Sequence, residues 1–341
     1  MGVIGVLTAG GDCPGLNAVI RGVVARAEER GSEVVGIQDG WEGLIHDRTI
    51  PLDREAVRGI LGRGGTMLGT SRMDPYVHGE GLVSCSPTIS RNGIDKLIVI
   101  GGDGTLRSAM QLADEGLAVI GVPKTIDNDI CGTDTTFGFA TAVQIATEAI
   151  DRLATTAEAH NRVIVVEVMG RTKGWIATHA GIAGGADYIL IPEVPADMDD
   201  LVDTLRARHR AGHRYSIVVA AEGITPPEGY EPVENKTDAF GFERLGGVGY
   251  QVANAIEDRT QFETRVSVLG HIQRGGTPVA SDRVLATSLG VAAADLAVDG
   301  ESNVMAAVRG TEIVGVPLVE ATSGIRGVPD ELYATARTLF G

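Results

Sequence analysis

Five turns carry the side chains best suited to chemistry: Ala9-Gly10-Gly11-Asp12, Gly101-Gly102-Asp103-Gly104-Thr105, Pro123-Lys124-Thr125-Ile126-Asp127-Asn128-Asp129, Met169-Gly170-Arg171 and Glu222-Gly223. Glycine lets backbone amides approach a polyphosphate with no side chain between, and a helix opening beyond the turn adds its positive end. Gly10-Gly11 leads into a helix-like run from Gly15 to Glu29, so it reads as a phosphate cradle or as a tight strand-to-helix connection. Asp103 offers the hard oxygen that magnesium prefers, or else it is a helix N-cap. Asp127 and Asp129, set among Thr125 and Asn128, suit a general base beside a phosphoryl group in transfer, the alternative being a solvated Asx turn.

A sixth turn, Gly270-His271-Ile272-Gln273-Arg274-Gly275-Gly276, has Arg265 upstream, and Arg162 stands before another strand. Fork-shaped guanidinium groups match phosphate oxygens, although scattered arginines also serve as surface charge. Two common nucleotide fingerprints are missing. Gly170-Arg171-Thr172-Lys173-Gly174 lacks the P-loop spacing, and Gly246-Gly247-Val248-Gly249 does not follow a strand in a βαβ unit. Cys13 stands at a helix start, where a thiol pKa can fall, yet packing accounts for it equally. Trp41, Trp175 and His179 have no ligand or catalytic spacing and are read as core or interface residues.

These turns need strands and helices to hold them. Val3–Thr8, Lys96–Ile100, Val119–Val122, Val163–Val168 and Ile217–Ala221 are short β-branched runs, each followed by one of the five turns. That pattern predicts parallel α/β units, whose ligands bind beyond the carboxyl ends of the strands. A length of 341 residues favours two domains, and Pro226-Pro227 with Gly229 marks a surface insertion at about 224–246. No apolar run is long enough to span a membrane. The N-terminal residues have neither a signal-peptide pattern nor, with Val6 where Ser or Thr is needed, a myristoylation signal. Cys13, Cys85 and Cys131 have no disulfide or zinc spacing, which points to a reducing cytoplasm. The net charge of −16 disfavours nucleic acid and anionic membranes as partners, so an anionic substrate must meet a local basic cluster.

Together and in this order, GGDCPGLNAVIRG, IGGDGTL, PKTIDNDI, EVMGR, AAEG and VLGHIQRGGTP resemble the motif series of the 6-phosphofructokinases over nearly the whole chain. GGDGT alone also suits NAD kinases, but PKTIDND, MGR and GHIQRGG exclude them. The insertion and Lys124 resemble the actinobacterial, mixed-substrate branch of the phosphofructokinase A family. The resemblance implies an α/β fold of two Rossmann-like three-layer domains with parallel-rich sheets and the active site between them. Residues 1–138 plus 273–320 would bind nucleotide and magnesium, and 139–272 plus 321–341 fructose 6-phosphate.

It further implies an ATP-dependent enzyme of the cytoplasm that makes fructose 1,6-bisphosphate. Gly11, Arg72, Gly102, Asp103, Gly104 and Thr105 would contact ATP, with Asp103 on Mg2+. Thr125, Asp127, Met169, Gly170, Arg171, Glu222, His271 and Arg274 would hold fructose 6-phosphate, while Arg162 and Arg265 reach in from a neighbouring subunit of a homo-oligomer, usually a tetramer. Asp127 would take the proton of the 1-hydroxyl, with Thr125 in the catalytic set and Arg72 and Arg171 neutralising the moving charge. Gly104 resembles ATP users and Lys124 pyrophosphate users. A pyrophosphate-dependent enzyme and a catalytically silent sugar-phosphate sensor are the competing readings. Of the family's effector cluster, Arg21 and Arg54 match while Ala25, Ala154 and Ala211 do not, which predicts a weak or absent response to ADP.

Overall fold

The computed structural model describes residues 2–230 and 245–341, so most of the expected insertion at 224–246 lies outside the described residues. Contacts divide the chain into two compact units, Met1–Thr141 with Arg274–Ile325 and Ala142–Gln273 with Arg326–Gly341.

The first unit is built on one eight-stranded sheet: β1 (Val3–Thr8), β2 (Glu33–Ile37), β3 (Thr49–Leu52), β4 (Ile94–Gly101), β5 (Val119–Thr125), β6 (Phe137–Gly138), β11 (Val304–Arg309) and β12 (Glu312–Pro317). The order is β12-β11-β5-β4-β1-β2-β3, with β6 on β5, and only β11–β12 and β2–β3 are antiparallel neighbours. Its helices are α1 (Leu16–Glu29), α2 (Trp41–His46), α3 (Leu82–Arg91), α4 (Asp103–Asp114), the start of α5 (Phe139–His160), α9 (Ala280–Val298) and α10 (Leu318–Ala321). Strand alternation sends Leu97 and Val99 of β4 into a core with Leu106, Ala109 and Leu112 of α4, leaving Ile98 and Ile100 for the opposite face. Each such side chain contributes about 1.5–3 kcal/mol by leaving water.

β1 leads through α1 to β2 on one side, whereas β4 flanks its other side and leads through α4 away to β5. The strand order therefore reverses between β1 and β4, the place where open parallel sheets bind ligands. Several expected boundaries shift: β4 runs Ile94–Gly101 instead of Lys96–Ile100, and β9 starts at Ser216 instead of Ile217. β5 continues through Lys124 and Thr125 instead of ending at Val122, because these residues pair with Phe137 and Gly138. α1 begins at Leu16, with Gly15 left-handed before it at φ 110°.

The second unit holds an all-parallel four-stranded sheet, β10-β7-β9-β8, made of β7 (Val163–Val168), β8 (Tyr188–Leu190), β9 (Ser216–Ala221) and β10 (Thr264–Val268). Every residue of β7 and β9 is buried, as central strands covered on both faces require. Its helices are the rest of α5, α6 (Trp175–Ala183), α7 (Met198–Arg210), α8 (Val248–Thr260) and α11 (Asp330–Arg337). Among the described residues no helix is long and apolar enough to cross a membrane.

Candidate active site

Three adjacent strand ends of the first unit, β5, β4 and β1, deliver the predicted phosphate turns. Gly10 donates its N–H to Ser71 O at 3.0 Å, and Thr70 Oγ1 donates to Gly10 O at 2.6 Å. The segment leading to Arg72, which is exposed, is thereby stitched to the first glycine turn. Lys124 is buried and donates to Gly11 O at 2.5 Å, and desolvation holds its ammonium below the usual lysine range. Arg274 donates to Asp12 O at 3.3 Å, and a β-carbon on Gly11 would stand 3.0 Å from its Nη1. Glycine at position 11 is thus what lets the guanidinium lie against the turn.

Gly102 is the N-cap of α4, which has no side-chain cap, so Asp103 is the first helical residue and not the cap. Both Asp103 oxygens stand 3.0 Å from Arg107 Nε one turn along the helix. Gly104 is exposed, and a β-carbon added there meets nothing within 4 Å. Packing therefore does not demand glycine at this position.

Asp127 is 2% exposed, which rules out the solvated Asx turn. Thr125 Oγ1 accepts the Asp127 N–H at 3.0 Å and stands 3.3 Å from Asp127 Oδ2, to which it donates. Arg274 Nη2 lies 3.9 Å from the same oxygen. Asp127 Oδ1 is buried with no hydrogen-bond partner among the described residues. An unsatisfied buried acceptor costs about 1–3 kcal/mol or more, so this oxygen calls for a donor from water or a bound molecule. Asn128 turns the chain at φ 53° and its Oδ1 accepts the Thr136 N–H at 3.0 Å, fixing the loop beyond the carboxylate. Cys13 does not have a lowered pKa: burial pushes its thiol up to about 12, and it donates weakly to Phe137 O.

In the second unit the ends of β10, β7 and β9 lie side by side. Glu222 donates its N–H to Val168 O at 2.9 Å, and its Oε1 accepts the Arg171 N–H at 3.0 Å. Arg171 sits at φ 53°, in the left-handed region that a long side chain seldom occupies. Leu269 donates to Glu167 O at 3.0 Å and leads into the 3₁₀ turn Gly270–Arg274, where Gln273 Nε2 donates to Gly270 O at 3.1 Å and His271 is exposed. Arg162 and Arg265 do not join this end. Both guanidiniums meet Glu263 Oε1, at 2.7 and 2.5 Å, beside the opposite ends of β7 and β10. The length of β7 separates Arg162 from Arg171 by about 20 Å at the usual strand rise. The Arg162 hydrogen bond, aided by nearby positive charge, draws the Glu263 carboxyl below its ordinary range.

A phosphofructokinase family model matches residues 3–297. The chain belongs to the phosphofructokinase family. It is 53% identical over 341 residues to an ATP-dependent 6-phosphofructokinase of Corynebacterium efficiens, with 99% of both chains covered. It is 52% identical over 340 residues to a pyrophosphate–fructose 6-phosphate 1-phosphotransferase of Amycolatopsis methanolica, again with 99% of both covered. The T-state phosphofructokinase of Pichia pastoris matches its fold with a TM-score of 0.84 at 33% identity, over 99% of this chain and 36% of that one. This phosphofructokinase thus spans about a third of the length of the Pichia chain. It has the family's two-domain α/β fold and is a phosphotransferase acting on an alcohol.

Two carboxylates of this phosphofructokinase escape motif reasoning. Glu167, 2% exposed, accepts the N–H groups of Gly247 at 2.8 and 3.0 Å and of Gly249 at 2.8 Å, filling the N-terminus of α8. Glu193 accepts the Gly174 N–H at the start of α6, at 3.0 and 3.2 Å, and the Val328 N–H at 3.0 Å. A charged residue within the apolar run of β7 was the available signal for Glu167, since a buried charge requires partners. Trp175 is a core residue whose Nε1 donates to Arg326 O at 3.0 Å.

Proposed function

We propose that this phosphofructokinase transfers the γ-phosphoryl group of ATP to the 1-hydroxyl of fructose 6-phosphate, giving ADP and fructose 1,6-bisphosphate. The observation that carries the reading is Asp127, a buried carboxylate whose Oδ1 has no donor in the described residues and stands in the same unit as two glycine turns suited to phosphate. Oδ1 takes the hydroxyl proton while Thr125 holds Oδ2. Gly11, Arg72, Gly102, Asp103, Gly104 and Thr105 bind the nucleotide, and the uncapped start of α4 supplies backbone N–H groups to its phosphates. Met169, Gly170, Arg171, Glu222, His271 and Arg274 hold the sugar phosphate, and Arg72 and Arg171 neutralise the moving charge.

Asp103 fits a magnesium site, since it offers hard oxygens at a helix start, and no group of three His, Cys, Asp or Glu among the described residues forms a full protein cage. Nucleotide phosphates and water complete the coordination of magnesium in such sites, where the ion neutralises phosphate charge. Arg162 and Arg265 act from a neighbouring subunit of a homotetramer. Their position at the far end of their own sheet from Arg171 supports that assignment. Arg54 donates to Ala25 O at 3.0 Å and stands 3.4 Å from Glu28, so its own chain already engages it, in keeping with a weak ADP response. Three free cysteines and no spanning helix among the described residues are compatible with the cytoplasm.

Pyrophosphate is the competing donor, favoured by Lys124 and by the Amycolatopsis relative. Gly104 outweighs it: an acidic side chain there would occupy and charge the space an α-phosphate needs, and glycine leaves that space open. Lys124 is committed to Gly11 O, a contact that favours neither donor. Formation of fructose 1,6-bisphosphate by the purified protein with magnesium, comparing ATP with pyrophosphate at equal concentration, decides between them. Turnover with ATP is expected, and turnover with pyrophosphate alone would reverse the donor assignment.

A further inference from the structure

The turn Gly170–Gly174 is held at both ends by carboxylates. At its start Glu222 Oε1 takes the Arg171 N–H at 3.0 Å. The Lys173 N–H closes on Gly170 O at 3.0 Å, and a β-carbon on Gly223 would fall 1.9 Å from Arg171 O, so the Arg171 peptide is gripped from two sides. At the other end both oxygens of Glu193 receive the Gly174 N–H, and Oε1 also receives the Val328 N–H at 3.0 Å. Val328 belongs to Arg326–Val328, where the chain re-enters the second unit. This segment is fastened again by Trp175 Nε1 on Arg326 O at 3.0 Å, with the Arg326 guanidinium 4.4 Å above the Trp175 ring. Between these anchors Arg171 keeps a left-handed backbone at φ 53°. A non-glycine residue holds such a conformation only where its surroundings over-determine it, and such strain gathers at functional sites.

We propose that Glu193 is a positioning residue for Arg171: it ties the end of the Gly170–Gly174 turn to the returning segment Arg326–Val328 and so fixes where the Arg171 guanidinium acts. The inference rests on the reading of Arg171 as a residue that neutralises the transferred charge. Glu222 and Gly223 both act at the Arg171 end of the turn. Without Glu193 the Gly174 N–H loses its acceptor and its tie to Val328, leaving Gly174 fixed through its carbonyl, which accepts from the N–H and Oγ1 of Thr178 at 2.8 and 2.9 Å. The peptides before it then gain freedom and the left-handed residue can relax, carrying its side chain away from the reacting phosphoryl group.

The test is a double-mutant cycle in the full-length protein, with Glu193→Ala, Arg171→Ala and the pair, measuring kcat and both KM values. Glu193→Ala is expected to lower kcat about tenfold, a fraction of what an ångström of misplacement can cost, with the KM for the phosphoryl donor unchanged. In the Arg171→Ala background the same change should cost less than about twofold, because its effect passes through Arg171. A full tenfold loss in both backgrounds would assign Glu193 a structural role and overturn the proposal, as would unchanged kcat in the single variant. If Arg171→Ala itself keeps normal turnover, the role of Arg171 falls first and the inference with it. Should Glu193→Ala fail to fold, the isosteric Glu193→Gln, which leaves one carbonyl acceptor, is expected to give a smaller loss with the same dependence on Arg171, and equal losses in the two backgrounds would again count against the proposal.

Discussion

The start of α4 in the first unit and the starts of α6 and α8 in the second use helix N-termini in opposite ways. In the first unit, α4 opens after Gly102 with no side-chain cap, and the space beside Gly104 is open. In the second, the N–H groups at the starts of α6 and α8 are filled by the chain's own Glu193 and Glu167. A helix N-terminus attracts an anion in either case, through oriented N–H groups and the helix dipole. Where the protein supplies that anion, the amides are taken up by the chain itself. Where it does not, as at the start of α4, the amides carry no side-chain cap. The comparison teaches that a glycine turn before a helix leaves its amides open to an anion only if no carboxylate of the chain reaches them.

The strongest way to test this comparison is at the proposed general base of the first unit. Asp127→Ala should reduce turnover by at least ~100-fold, the scale of general-base catalysis, with the fold intact by circular dichroism. Turnover close to wild type would remove Asp127 from the chemistry and leave its unpartnered Oδ1 unexplained.

The complementary variant in the second unit acts on stability. Glu167→Ala takes a buried acceptor from two backbone N–H groups at the start of α8. Hydrogen bonds to a charged group contribute roughly 1.5–3 kcal/mol, so a loss of about 2 kcal/mol and a melting temperature lower by a few degrees are expected. An unchanged melting temperature would mean that α8 does not depend on its internal anion.

The smallest expected effect concerns ADP. With Arg54 bonded to Ala25 O and no cation at positions 25, 154 and 211, added ADP should shift the fructose 6-phosphate saturation curve by less than about twofold. A clear leftward shift would show a working effector site despite these losses.

What sequence alone could reveal follows the same division. β1, β4, β5, β7 and β9 were legible because β-branched runs end in glycine and acid, and Asp103, Asp127, Arg171 and Glu222 stood within those turns. The internal anions were not, since Glu167 meets its amides 80 and 82 residues away and Glu193 meets Val328 at a separation of 135. The approach of Arg274 to Asp12 spans 262 residues and likewise depends on the folded backbone. Lys124 was expected in a turn beside transferring phosphates; it instead closes β5, where pairing with Phe137 buries it. Residue type marked the candidate turns of both units, while the contacts that fasten them span distances no local pattern encodes.

The most direct test of the central claim, that the start of α4 is left open for a nucleotide phosphate, is donor use by Gly104→Asp. The added side chain meets no protein atom within 4 Å at its β-carbon, and an acid in the first turn of a helix is favourable there, so stability should hold. ATP-dependent turnover should fall by roughly 30-fold or more, as like charges brought together cost several kcal/mol, with a smaller change in any pyrophosphate-dependent rate. Unchanged use of ATP by a folded Gly104→Asp protein would contradict the account, because the nucleotide phosphates would then lie elsewhere.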